Sequence, residues 1–206
     1  MSTRLHSRIR YVSMTGAAAL ALMSCAAVAH PGHEHAISSH MFQSGLLHPL
    51  TGLDHLLAMV AVGIWAALSH TNMRQAIWTP LTFLCLLLAG ALMGMAGLSL
   101  PGVEPVIVAS LLVLGLLLAS RATLSGPASA LLVGFFALFH GMAHGSELPP
   151  GAGATAFIAG FMLSTLVLHG LGLAGGFALK QRTLWLTRAA GAGITAYGIS
   201  LLASTA

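Results

Sequence analysis

Apolar residues run along this chain in six long blocks, at roughly 48–68, 78–97, 104–120, 127–144, 152–179 and 184–203. Short breaks bearing polar residues, Gly or Pro separate them. Each block has about the 17–25 residues that a helix needs to cross hydrocarbon, and 152–179 is long enough to tilt or kink. The pattern predicts an all-α integral membrane protein with six transmembrane helices. These helices and their turns use nearly everything after residue 47, which leaves no room for a soluble or nucleotide-binding domain.

A shorter apolar stretch, 17–22, lies upstream. Arg4, Arg8 and Arg10 precede it and Ala27-Val28-Ala29 comes after it. Positive start, short apolar centre and small-x-small end are the marks of a secretory signal peptide, here cleaved after Ala29. An uncleaved anchor is the rival. Leu22-Met23-Ser24-Cys25 also resembles a lipoprotein cleavage site, though Met23 fits poorly. The expected division is a signal peptide over 1–29, a His-rich outer segment over 30–47 and a six-helix domain over 48–206.

Composition agrees. Of 206 residues, 57% are hydrophobic and 6% are charged, where soluble domains carry about 25% charged residues. The lipid bilayer is therefore the expected surrounding. The formal charge of +4 rests on few residues, three of them in the first ten, so no basic patch for nucleic acid exists. Cys25 and Cys85 make no disulfide framework; Cys85 reads as a small core residue.

The breaks orient the helices. Arg74, Arg121, and Lys180 with Arg182 and nearby Arg188, mark the first, third and fifth breaks. The second, at 99–104, and the fourth, at 145–151, carry no Lys or Arg, and neither does the carboxy-terminal tail. The positive-inside rule puts the basic breaks in the cytoplasm and both mature termini outside. A cleaved signal delivers the same topology. Three spans per half would orient the halves oppositely, as in a 3+3 inverted repeat, although the halves share no convincing sequence similarity. Gly90 and Gly94, Gly141 and Gly145, and Gly172 and Gly176 place small residues one turn apart, which suits close helix packing.

Chemistry concentrates in two places. His48-Pro49-Leu50-Thr51-Gly52-Leu53-Asp54-His55 opens the first span. Pro49 suits a first helical turn, and Gly52 suits close approach or a local unwinding. His48 and His55, seven apart, share a face of a regular helix. Asp54 could ligate a metal directly or orient an imidazole. The second cluster is His140, His144 and Glu147, spaced i, i+4, i+7 on one stripe. Pro149-Pro150 ends that helix, and Glu147 could equally be a solvated helix-end charge. Ionisable residues inside spans are costly and mark function by default. The topology carries both clusters to the outer end of the bundle.

Other histidines are weaker candidates. His169 lies deeper in the fifth span, as a transfer site or as a buried ring bonded to Ser or Thr. His30, next to the expected new amino terminus, could capture metal together with His33 and His35; the plain alternative is a solvated tail. His70 reads as solvated. Met59, Met93, Met95, Met142 and Met162 raise Cu(I), but Met is also ordinary bundle filler. Imidazole and carboxylate favour a borderline divalent ion such as Ni(II), Co(II) or Zn(II).

At these residues the chain resembles the HupE/UreJ family of nickel permeases. The marks are His48-Pro49-x-x-Gly52-x-Asp54-His55 followed by Gly63, Phe139-His140-Gly141-x-x-His144-Gly145-x-Glu147, and Leu168-His169-Gly170. The resemblance implies a secondary permease of the bacterial inner membrane, multi-pass, carrying Ni(II) or Co(II) towards hydrogenase or urease. The ion is cargo, with no permanent cofactor and no nucleic-acid partner; no protein partner is implied. His48, Asp54 and His55 would be ion ligands, with His140, His144 and Glu147 as partners. The rival expectation is an intramembrane zinc hydrolase, built from three histidines and a carboxylate, though no His-Glu-x-x-His motif is present.

Overall fold

The computed structural model describes residues 33–148, 151–180 and 184–204. The expected signal peptide and His30 lie outside the described residues. The chain divides into two units between Ala36 and Ile37. Of the described residues, only the opening turn of α1 falls in the first; the helical bundle is the second.

All the regular structure among the described residues is helical. In order it is α1 (His33–Thr51), α2 (Leu53–Ser69), α3 (Met73–Ala76), α4 (Trp78–Met95), α5 (Val103–Ser120), α6 (Gly126–Glu147), α7 (Ala152–Leu179) and α8 (Leu184–Ser204). Helices satisfy every backbone group within one segment, which hydrocarbon demands. Their ends carry the expected punctuation. The Asn72 side chain accepts from the Gln75 N–H at 3.0 Å and starts α3. Arg121 ends α5 in the left-handed region, at φ 57°, where its N–H and that of Ala122 reach back to Leu118 and Leu117. Pro127 sits at the start of α6, where its missing N–H costs nothing.

Two expectations about the first span change. It is not one helix from His48. The chain is bent by 79° between the α1 segment Ser38–Thr51 and α2, with Gly52 extended at the break. Pro49 therefore lies in the last turn of α1 rather than opening a helix. The stretch weighed as a solvated tail is helical from His33 on.

Four stretches are long and apolar enough to cross a membrane: Met73–Met95, Val103–Ser120, Gly126–Glu147 and Gly153–Leu179. The bent pair makes a fifth if taken as one span. The chain is a helical, multi-pass membrane protein. Helix α8 occupies the place of the sixth expected span; its Ala, Gly and Thr residues with Arg188 make it less apolar than the others. The outside of the bundle is oily, with Leu131 75% and Trp78 67% exposed. A water-soluble fold would hide such residues.

The long helices pack mainly in three pairs, α4 with α6, α5 with α8, and α2 with α7. Glycine sets the approach. A Cβ on Gly141 would overlap the Leu87 carbonyl, and one on Gly90 the Leu138 carbonyl. Gly145 and Gly94 meet Ala91 and Met142 in the same reciprocal way. Gly172 faces the Val60 carbonyl, and Gly63 faces that of His169. The spaced glycines thus serve close packing, as small residues do between membrane helices. The contacts also give direction. Leu87 with Gly141 and Ala91 with Gly145 make α4 and α6 parallel. Val60 with Gly172 and Ile64 with Gly176 make α2 and α7 parallel. Gly115 with Thr195 and Ala119 with Gly191 make α5 and α8 antiparallel.

At the far end of α2, Lys180 donates to the carbonyls of Ala67, at 3.1 Å, and of His70. A cation there complements the helix dipole. His70, expected to be solvated, is partly buried; burial and then the Lys180 charge hold its pKa below 6.5. Trp65 is buried in the core and its indole N–H donates to the Ala122 carbonyl at 2.8 Å.

Gly172→Ala drives a Cβ into the Val60 carbonyl and should destabilise the protein by about 1–3 kcal/mol. Gly175→Ala, which meets nothing within 4 Å, should leave stability unchanged or slightly raised. Thermal unfolding of the purified proteins in detergent checks both. Equal midpoints would mean that α2 and α7 are not in backbone contact.

Candidate metal site

The parallel pairs bring one end of the bundle together. The break between α1 and α2, the start of α5 and the end of α6 meet around a cavity of ≈ 320 Å³, lined by His48, Asp54, His55, Glu104, His144 and Glu147 among others. His140 lies beside it, buried behind His55. The two clusters singled out in the sequence are thus in one place, although some 90 residues of chain separate them.

Gly52 builds the local geometry. Its φ of −98° and ψ of 115° suit any residue, so the reason for glycine is space. A Cβ there would sit 2.9 Å from Asp54 Oδ1 and 3.2 Å from His55 Nδ1. Helix α2 starts with Leu56 N–H donating to the Gly52 carbonyl at 3.0 Å. Asp54 falls in its first turn, where the helix dipole favours a negative charge. His48 is in the last turn of α1. The rings of His48 and His55 lie 6.0 Å apart across the break, so a bend, rather than the helical period, brings them together.

The imidazoles form a connected group around His144. Ring centres are 4.6 Å apart for His48 and His144, 4.6 Å for His55 and His144, and 5.4 Å for His55 and His140. A borderline ion sits about 2.1 Å from an imidazole nitrogen, which puts two rings sharing it at roughly 5 Å between centres. The spacing suits a shared ion; the aim does not yet. The rings meet edge to face or tilted, and among the described residues no three His, Cys, Asp or Glu groups are already gathered to hold one. Phe157 and Phe161 wall off His48, and Phe161 also packs on His144 at 4.7 Å.

Hydrogen bonds fix which nitrogen is free. His55 Nδ1 lies 2.9 Å from Asp54 Oδ1. An ionised carboxylate only accepts, so Nδ1 carries the hydrogen and the lone pair is on Nε2. The Ser110 hydroxyl donates to the Ile107 carbonyl at 2.6 Å. Its one hydrogen is spent, so it accepts from His140 Nε2–H at 3.0 Å. The His140 lone pair is then on Nδ1. Both free nitrogens are buried without partners, as are both nitrogens of His144. An unsatisfied buried polar atom costs about 1–3 kcal/mol, so four in one place is an expensive way to pack a bundle. Neutral imidazoles with free lone pairs, a carboxylate orienting one of them, and a water-poor wall are a donor set for a borderline divalent ion.

The Asp54 carboxylate faces His55 Nδ1, and Asp54 also lines the cavity. Glu147 is exposed at the mouth. His169 lies apart, with Nδ1 on the Met59 carbonyl at 2.8 Å. His33 and His35 fall in the first turn of α1, with side chains outside the described set. Two residues were not foreseen. Glu104, at the start of α5, lines the same cavity, and its place at an outer helix end was the available signal. Ser110 orients His140, and a lone hydroxyl in an apolar span carries no such signal.

A family model described as "HupE / UreJ protein" matches residues 18–201. Protein HupE of Rhizobium leguminosarum bv. viciae is 42% identical over 191 residues, covering 91% of this chain and 95% of that protein. No solved structure matches.

Gly52→Ala should push the Asp54 carboxylate aside and loosen its bond to His55. Misaligned orienting partners cost about 10–100-fold in metal affinity. A Co(II) titration of the purified protein, followed by its visible spectrum, should show at least the lower of these losses. Unchanged affinity would remove this hydrogen bond from the site.

Proposed function

The chain belongs to the HupE/UreJ family, and from that membership together with the histidine cluster we propose that it is a permease importing a divalent transition-metal ion. Ni(II) is the cargo, with Co(II) as the alternative, and the use is maturation of nickel enzymes such as hydrogenase or urease. It works as a secondary transporter in the bacterial inner membrane. Six spans follow a cleaved signal peptide, with both mature termini outside. The exchange of helix pairings between halves supports a 3+3 inverted repeat, since swapping α2, α4 and α5 for α6, α7 and α8 turns α2–α7 into α4–α6, turns α4–α6 into α2–α7, and leaves α5–α8 as it is.

The observation that carries the reading is the group of buried, unpaired imidazole nitrogens beside an open cavity. His30, His33 and His35 gather the ion at the outer surface. Glu104 and Glu147 draw it into the cavity, since acidic mouths concentrate cations. As the ion sheds water, His55 Nε2, His140 Nδ1, His144 and His48 turn to replace it. Asp54 holds His55 in the ligating tautomer and offsets the ion's charge. Rocking of one half against the other then opens the site inward. The hydrolase alternative is not favoured, because the family match covers most of the chain and no His-Glu-x-x-His motif accompanies the histidines.

Radioactive nickel uptake by cells expressing the chain tests this. His48→Ala, Asp54→Asn and His144→Ala should each lower uptake by about tenfold or more at matched membrane levels. A parent that takes up no nickel, or variants that all match it, would sink the proposal.

A further inference from the structure

One buried histidine has no part in that scheme. His169, on α7, is 1% exposed. Its Nδ1 lies 2.8 Å from the Met59 carbonyl oxygen. A carbonyl only accepts, so Nδ1 carries the hydrogen and the lone pair is on Nε2. That nitrogen is buried without a partner. One turn earlier, Thr165 is fully buried and its Oγ1 is also without a partner. Residues four apart share a helix face. Leucine and valine would fill the same space without two stranded polar atoms, so packing alone gives no reason for this pair.

The position is tied to the outer cluster. Met59 is one turn beyond His55 on α2, or about 6 Å further along the helix. The Phe83 ring touches both levels, at 4.9 Å from the His169 ring and 6.3 Å from that of His140. A backbone carbonyl holding Nδ1–H is also the usual way of presenting Nε2 to a metal.

We propose that His169 Nε2, with Thr165 Oγ1 one turn away, is a second binding position for the same divalent ion, one step further into the bundle than the cavity cluster. This rests on the permease reading. It assigns the ion two stations, the first fed from the cavity and the second enclosed by α2, α4 and α7. The ion exchanges imidazole for imidazole between them and is never left bare in an apolar core.

Two variants test it with Co(II) as the probe. His169→Cys puts a thiolate where the imidazole nitrogen was. The cobalt-loaded variant should show a thiolate-to-cobalt charge-transfer band in the near ultraviolet that the parent, which keeps Cys85, lacks. In His169→Leu, equilibrium Co(II) binding should stay within about twofold of the parent, while flux into proteoliposomes falls about tenfold or more. No band in the cysteine variant overturns the proposal. So does parental flux in the leucine variant, or a joint loss of binding and flux with a lowered unfolding temperature, which assigns His169 to packing. The band needs bound cobalt but no transport. If the parent moves no ion, the permease reading fails alone, and the band still decides His169.

Discussion

A polar group without a partner is costly in hydrocarbon, and this rule shapes the whole molecule. It makes the chain helical and puts leucine and tryptophan on the outside. It also makes exceptions informative. Backbone pairing is interrupted at Gly52, which lines the cavity, and a break is tolerated where it lines a cavity. Unpaired side-chain nitrogens of His55, His140 and His144 gather beside that break, with His169 one level further in; outside this group, among the described residues, His70 Nε2 at the far end of α2 is also unpaired. The same rule that builds the scaffold thus picks out where it departs from scaffolding.

Helix pairing explains why the exceptions meet. Parallel contact of α2 with α7 and of α4 with α6 requires the start of α2 and the end of α6 to reach the same end of the bundle. Reciprocal glycines bring α4 and α6 into backbone contact, so His140 and His144 stand on a stiff element. Ser110 on α5 then sets one ring, and the meeting of α5 with α6 places it there. Positioning from rigid helices, with orientation from hydrogen bonds one step out, is what a precise ligand set needs.

Much of this was legible in the chain. Six apolar blocks predict the helices, and alternating basic breaks predict that both clusters share an end. Both readings rest on properties local to a segment. The break at Gly52 was legible only as one of two alternatives, local unwinding beside close approach, because hydropathy runs straight through it and glycine in an apolar run usually means packing. Pro49 misled for a related reason: it suits the first turn of a helix, yet it also closes one that is about to bend. Ser110 and Glu104 were missed because their roles exist only across helices, and no spacing within one block encodes a contact over 30 residues of chain. Asp54 shows the middle case. Its neighbour His55 was an obvious partner, but only the geometry of a broken turn decides that the carboxylate faces the imidazole Nδ1.

The location of the break bears on what holds the imidazoles at their spacing. His48 stands on one side of Gly52, and Asp54 and His55 on the other. Helix α1 packs against the early part of α7, where Gly45 meets Phe157 and Gly160 meets Phe42, while α2 packs against the later part. Both sides of the break are thus seated on one continuous helix, in backbone contacts as close as those between α4 and α6. The Asp54–His55 hydrogen bond lies within the first turn of α2, and His48 lies in the last turn of α1. The spacing of the His48 and His55 rings is therefore set by α7, across a joint that α7 holds from both sides.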